Sequence, residues 1–153
     1  MNLTPEQQFH GLLSEITDKP SQDALRAEFV FDDDMCAIIR LDAAAQTVLV
    51  EIFALDLSFH TGLARDVLME GILQCNTIGT LGRPFFVGVD ERDFVLVCNR
   101  LPLAGLDSPR ILDELDYLLE QSRAILDFLE LLALGILPGA AETPVSADGP
   151  RPV

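Results

Sequence analysis

The chain has 153 residues, with 25 Asp and Glu against 10 Lys and Arg, a formal net charge of −15, and hydrophobic residues at 49% of positions. That charge repels phosphate backbones and anionic lipid headgroups, so nucleic acid and membrane surfaces are excluded as natural partners. The apolar content is too high for an acidic disordered tail. What remains is one folded domain able to bury a core without staples, with apolar surface to spare for another protein.

Thr4-Pro5-Glu6-Gln7 opens a first helix. Thr4 can cap it, Pro5 suits the first helical position, and Gln7 completes a capping box. Phe9, Leu12, Leu13 and Ile16 then recur on one face, and Asp18-Lys19-Pro20-Ser21 ends it. From Leu25 the period changes to two. Leu25, Ala27, Phe29 and Phe31 alternate with Arg26, Glu28, Val30 and Asp32, which predicts a strand. Asp32-Asp33-Asp34 is a turn, and a second strand alternates over Met35–Leu41. A third, Thr47–Leu55, is rich in β-branched and aromatic residues. Short links make these three an antiparallel meander.

A second helix is predicted from Thr61 to about Asn76, with Asp66, Glu70, Gln74 and Thr77 as a narrow polar stripe on an otherwise largely apolar cylinder. A surface helix normally buries one stripe, and this one calls for cover on two sides. After a loop at Gly79–Pro84, Phe85–Asp90 and Asp93–Leu101 form a hairpin with Glu91-Arg92 at its tip. Ser108-Pro109 then starts a Leu-rich last helix that ends near Gly135. The segment 138–153 is rich in Pro, Ala and Gly and is expected to be disordered, so the domain is 1–137 with a short tail. The order α-β-β-β-α-β-β-α defines an α+β fold, an antiparallel sheet with its first and last helices on one face.

Residues that carry chemistry are few. Cys36, Cys75 and Cys98 form no CxxC pair, each lies in an apolar run, and neither His10 nor His60 is near a Cys, so no metal site is expected. Asp32-Asp33-Asp34 lacks the spacing, Gly and late Glu of a calcium loop. Gly79-x-x-Gly82 lacks the Lys of a phosphate loop. Ser58 lacks the glycine-framed elbow of a hydrolase. A small enzyme would have to converge Asp56, His60 and another polar group in one cleft, and no catalytic residues are expected. An acidic inhibitor that mimics nucleic acid would array its carboxylates on one exposed face, whereas many here fall at turns and helix flanks. The N-terminus shows no secretory pattern, and no apolar run reaches membrane-spanning length.

The apolar excess is the stronger signal. One face of the meander is uniformly apolar (Phe29, Phe31, Ala37, Ile39, Leu41, Val48, Val50, Ile52) and should lie under the first and last helices. The other mixes Arg26, Glu28, Arg40 and Glu51 with Val30, Ile38, Leu49 and Phe53. An apolar centre with a charged rim is the composition of a docking surface, and these last four residues are the expected partner contacts. The competing reading is ordinary sheet surface, or a face covered by the second helix. On that helix, Leu63, Val67, Leu68 and Ile72, with part of the hairpin, are the expected dimer interface.

The element order, acidic balance, small size and the acidic Leu-rich last helix (Ile111-Leu112-Asp113-Glu114-Leu115 onward) resemble the class I type III secretion chaperones of Gram-negative bacteria. Phe85-Phe86-Val87-Gly88-Val89-Asp90 followed by Asp93-Phe94-Val95-Leu96-Val97 is similar to that family's central hairpin. The resemblance covers about residues 4–134 and leaves the tail outside. It implies a cytoplasmic, non-enzymatic homodimer without cofactor. Such a dimer would hold the N-terminal segment of a secreted effector extended on its surface, partly by strand addition and partly in apolar grooves.

Overall fold

A computed structural model describes residues 2–18, 25–31, 34–79 and 82–135. Helix α1 (Pro5–Ile16) carries the capping box at atomic detail, Gln7 N–H donating to Thr4 Oγ1 at 3.2 Å and Thr4 N–H to Gln7 Oε1 at 3.0 Å. Strands β1 (Arg26–Val30), β2 (Cys36–Asp42) and β3 (Thr47–Asp56) follow as an antiparallel meander. A 3-10 turn at Leu57–Phe59 leads to helix α2 (Gly62–Gly79), which runs about a turn beyond the expected Asn76. Strands β4 (Phe86–Val89) and β5 (Phe94–Pro102) form the hairpin, and helix α3 (Ser108–Ala133) closes the domain. The cap of α3 is Asp107 rather than Ser108: the Asp107 carboxylate accepts the Arg110 N–H at 2.9 Å, and Ser108 instead donates to Glu15 of α1. Of the expected Asp32–Asp34 turn only Asp34 is described, with a left-handed φ of 61°. The expected disordered tail lies outside the described residues.

The five strands form one sheet in the order β1-β2-β3-β5-β4, so β1 and β4 are its edges. The inner face is the expected one. Ala37, Ile39, Val48, Val50 and Ile52 are fully buried, joined by Val95 and Val97, beneath Phe9 and Leu13 of α1 and Ile111, Leu118 and Leu129 of α3. Phe29 and Phe31, nearer the β1 edge, are only partly covered.

Helix α2 does not cover the second face. It contacts α3 and β4, and its Leu68, Ile72 and Cys75 belong to the same core as the inner sheet face. The reason is local: Leu68, Gly71, Ile72 and Cys75 stand at i, i+3, i+4 and i+7 on one helix face. At the centre of that face Gly71 has no side chain, and a Cβ there would meet Leu132 Cδ1 at 2.5 Å and Leu129 Cδ2 at 2.8 Å. Two of the expected interface residues are therefore corrected. Leu68 and Ile72 fill the chain's own core, while Leu63 stays 66% exposed and Val67 half-buried.

Candidate functional site

The antiparallel registers fix which residues share the sheet's outer face. One row across the strands reads Arg26, Arg40, Leu49, Arg100; the next Glu28, Ile38, Glu51, Cys98, Phe86; the third Val30, Cys36, Phe53, Leu96, Gly88. No helix is packed over these rows among the described residues. Val30 is 81% exposed, Phe86 59% exposed, and Ile38 and Phe53 are half-buried.

Leu49 differs from expectation. It lies on this face but is only 6% exposed, because its register neighbours on both sides are Arg40 and Arg100, whose methylene stems can shield it. Its side chain is therefore largely covered on this face. Glu51 is nearly buried as well, and Arg40 holds it bidentately, Nε to Oε2 at 2.8 Å and Nη2 to Oε1 at 3.1 Å. That bond keeps the Arg40 guanidinium more firmly protonated than usual. Central strand β3 is thus buried on both faces, and strict alternation does not describe it.

Beyond Phe53 a bulge shifts the β3–β5 register to Leu55↔Val95. The Phe53 ring meets Phe94 edge-on with centroids 6.0 Å apart, and the guanidinium of Arg92 lies over Phe94. The hairpin tip is built by Asp90, whose Oδ1 accepts the N–H groups of Arg92 at 2.9 Å and Phe94 at 2.8 Å. These elements enclose an open groove of about 380 Å³, lined by Arg26, Ile38, Arg40, Glu51, Phe53, Asp90, Arg92 and Leu96. Burial pushes the thiols of Cys36 and Cys98 up, with the Glu28 and Glu51 carboxylates adding to it, so both remain neutral thiols on this face.

The two sheet edges are unlike. Leu41 N–H bonds Leu25 C=O and Phe31 N–H bonds Met35 C=O, so on β1 the odd residues face β2 and the backbone groups of Arg26, Glu28 and Val30 face outward. No strand lies beside them among the described residues. On β4 the outward groups of Val87 are taken by Asn76 of α2, whose amide donates to Val87 C=O and accepts Val87 N–H at 2.7 Å. A side-chain amide here stands where a neighbouring strand would pair, which blunts the β4 edge. Asn76→Ala should cost about 1–3 kcal/mol in denaturant unfolding, because it strands that pair. The Val87 amide should also lose hydrogen-exchange protection while that of Val97 keeps it.

Of the residues a small enzyme would use, Asp56 is committed to capping a turn and does not line the cleft that His60 shares with Glu130. Asp56 Oδ1 accepts Ser58 N–H at 2.9 Å to cap the 3-10 turn, and these bonds from Ser58 hold its carboxyl below the usual range. His60 lines a cleft of about 300 Å³ whose other walls are Leu55, Leu68, Leu126, Leu129, Glu130 and Ala133. Among the described residues no three His, Cys, Asp or Glu side chains gather as for a metal ion, and no helix is long and apolar enough to cross a membrane.

Sequence reasoning missed Arg92, Asp90 and Leu96 as groove residues, because the hairpin could not be placed beside the meander without knowing that β5 pairs with β3. It missed Asn76 because an Asn late in a helix looks like ordinary surface.

No protein-family model matches the chain, and no curated protein sequence does. Solved structures match it well. A chain of the HopA1–SchA chaperone–effector complex superposes with a TM-score of 0.60 at 18% identity, over 81% of this chain and 97% of that one. A chain of the ExsC–ExsE complex gives 0.56 at 18% identity, over 80% and 92%. The Yersinia pestis type III secretion chaperone SycH, in complex with a stable fragment of YscM2, gives 0.55 at 13% identity, over 80% and 99%. At these identities the likeness defines the fold. The chain is an α+β domain with the fold of type III secretion chaperones, the family its sequence pattern resembles.

Proposed function

We propose that this protein is a non-enzymatic cytoplasmic chaperone that binds the N-terminal segment of a type III secreted effector and keeps it soluble and competent for export. The observation that carries the reading is the outer sheet face, over which no helix packs among the described residues. In a fold whose solved neighbours include chaperone–effector complexes, this face holds exposed and half-buried apolar residues beside a sheet edge whose outward backbone groups meet no strand among the described residues. An extended segment can add to β1 through Arg26, Glu28 and Val30 and lay apolar side chains against Val30, Ile38 and Phe53, with Leu49 covered beside them. Holding such a segment needs no cofactor and no catalytic group. The test is co-expression with products of adjacent reading frames followed by limited proteolysis. The expected result is protection of one fragment near the partner's N-terminus; protection of a folded catalytic domain instead would reject the reading.

The working unit in this proposal is a homodimer joined through α2. With Leu68 and Ile72 committed to the core, the apolar residues of α2 left to support it are Leu63 and Leu73, 66% and 67% exposed, with half-buried Val67 one turn on from Leu63. Leu63→Asp should leave the circular dichroism spectrum unchanged, because the side chain already faces outward, and convert the particle to a monomer in light scattering. A wild-type chain that scatters as a monomer at micromolar concentration would overturn the dimer.

A further inference from the structure

The groove on the outer face is richer in cations than the rest of the chain. Three of the protein's ten cationic residues, Arg26, Arg40 and Arg92, line this one space, in a molecule with 25 carboxylates. The two carboxylates that share it are already engaged. Glu51 is held bidentately by Arg40, and Asp90 closes the hairpin tip on two backbone N–H groups. Arg26 is paired with Glu28, but the other two arginines are less committed. Arg92 is 69% exposed in its side chain and reaches Asp90 only at 3.7 Å, and Arg40, bonded through Nε and Nη2, retains donors at Nη1. Between these cations the floor is apolar, formed by Ile38, Phe53 and Leu96.

Resting on the reading of this face as a peptide-docking surface, we propose that the groove selects an extended segment that sets a Leu-, Ile- or Phe-sized side chain over Ile38, Phe53 and Leu96 with an Asp or Glu beside it. The apolar side chain supplies burial. The neighbouring carboxylate bonds Arg92, with Arg40 within the same space, as guanidinium groups do with carboxylates in fork geometry. The net charge of the molecule pulls the other way, since a −15 chain attracts cationic segments from solution. At physiological salt, however, fields between exposed charges fade within about 8 Å, so the contact inside the groove is governed by the arginines that line it. A Lys placed there would meet like charge. The specificity is thus local: acid and apolar at the groove, whatever the charge of the segment elsewhere.

The experiment is selection of random 12-residue phage-displayed peptides on the full-length protein at 150 mM NaCl. Synthetic versions of the enriched peptides are then titrated against wild type, Phe53→Glu and Arg92→Glu. Arg92 is the charge to reverse because it is exposed and its removal leaves the Asp90 turn bonds intact. The expected result is enrichment of sequences pairing Asp or Glu with a large apolar residue, binding at least ~10-fold weaker to both variants, and selection of Lys or Arg in the acid's place on Arg92→Glu. Peptides lost on Phe53→Glu but showing no acid enrichment and binding Arg92→Glu unchanged would overturn the acid rule while leaving the docking face standing. Peptides that bind Phe53→Glu as well as wild type, or no enriched peptides at all, would overturn the docking face and the acid rule together.

Discussion

The double variant Phe53→Glu, Ile38→Glu is expected to remain folded, with an unchanged circular dichroism spectrum and particle size, and to lose retention of the partner's N-terminal segment by ~30-fold or more. The fold should persist because both side chains stand outside the buried cluster that joins the sheet's inner face to the three helices. Each is already half-exposed, so a carboxylate at either position reaches water instead of being trapped in an apolar interior. Binding should fail because an aromatic anchor at the centre of an interface commonly carries about 2 kcal/mol or more, which is roughly 30-fold in affinity. The two charges would also face Glu51, which Ile38 opposes directly in register. Pull-down of the co-expressed partner segment, with size and dichroism measured on the same preparation, decides it. Undiminished retention would remove this face from the binding surface. Loss of secondary structure would show that Phe53 and its edge contact with Phe94 belong to the core.

What the sequence could show follows from how far each signal reaches along the chain. Period-two alternation identified the inner face of the meander residue by residue, since a strand's apolar set is specified wherever one face is buried. The capping box at Thr4 was readable because all its partners lie within four residues. The low exposure of Leu49 was not legible because its register neighbours Arg40 and Arg100 lie on strands paired to either side, and alternation along β3 cannot report that. On α2 the pattern revealed two apolar flanks but not which one the chain uses itself. The answer lay in Gly71, the position that lets α3 approach, and a glycine within a helical pattern reads first as a weakness rather than as a contact. The groove was assembled by topology: β5 inserts between β3 and β4, bringing Arg92 and Leu96 beside residues almost sixty positions earlier.

Glu114 shows the same limit at higher energetic stakes. It stands in an acidic stretch of the helix, yet it falls in phase with Ile111, Leu115, Leu118 and Ser122 on the core-facing side, and it is 0% exposed. Its Oε2 accepts from Arg83 at 2.6 Å and from Arg110 at 2.9 Å, and Oε1 accepts from Asn99 of β5 at 3.0 Å. Arg83 also lies over the Tyr117 ring, 4.3 Å from its centroid, while the Tyr117 hydroxyl donates to the Arg83 carbonyl at 2.7 Å. One buried carboxylate therefore ties α3 to the centre of the sheet and to the segment entering β4, which is the wall behind both the edge strand and the outer face.

Removing both arginines would leave a buried charge held only by an amide. The double variant Arg83→Ala, Arg110→Ala should therefore lose about 3–5 kcal/mol of stability, the usual cost of stripping the partners from a buried ion. In thermal unfolding of a chain near this size, that is a drop of about 6–20 °C. Each single variant should lose far less than half of this, because the remaining guanidinium still neutralises Glu114. The cycle should therefore be strongly non-additive. Additive losses would mean that the arginines act separately through Tyr117 and the helix start instead of jointly on the carboxylate. Adding Glu114→Leu to the double variant should then recover much of the lost stability, since an apolar side chain at that position joins the surrounding leucines and leaves only Asn99 without its partner.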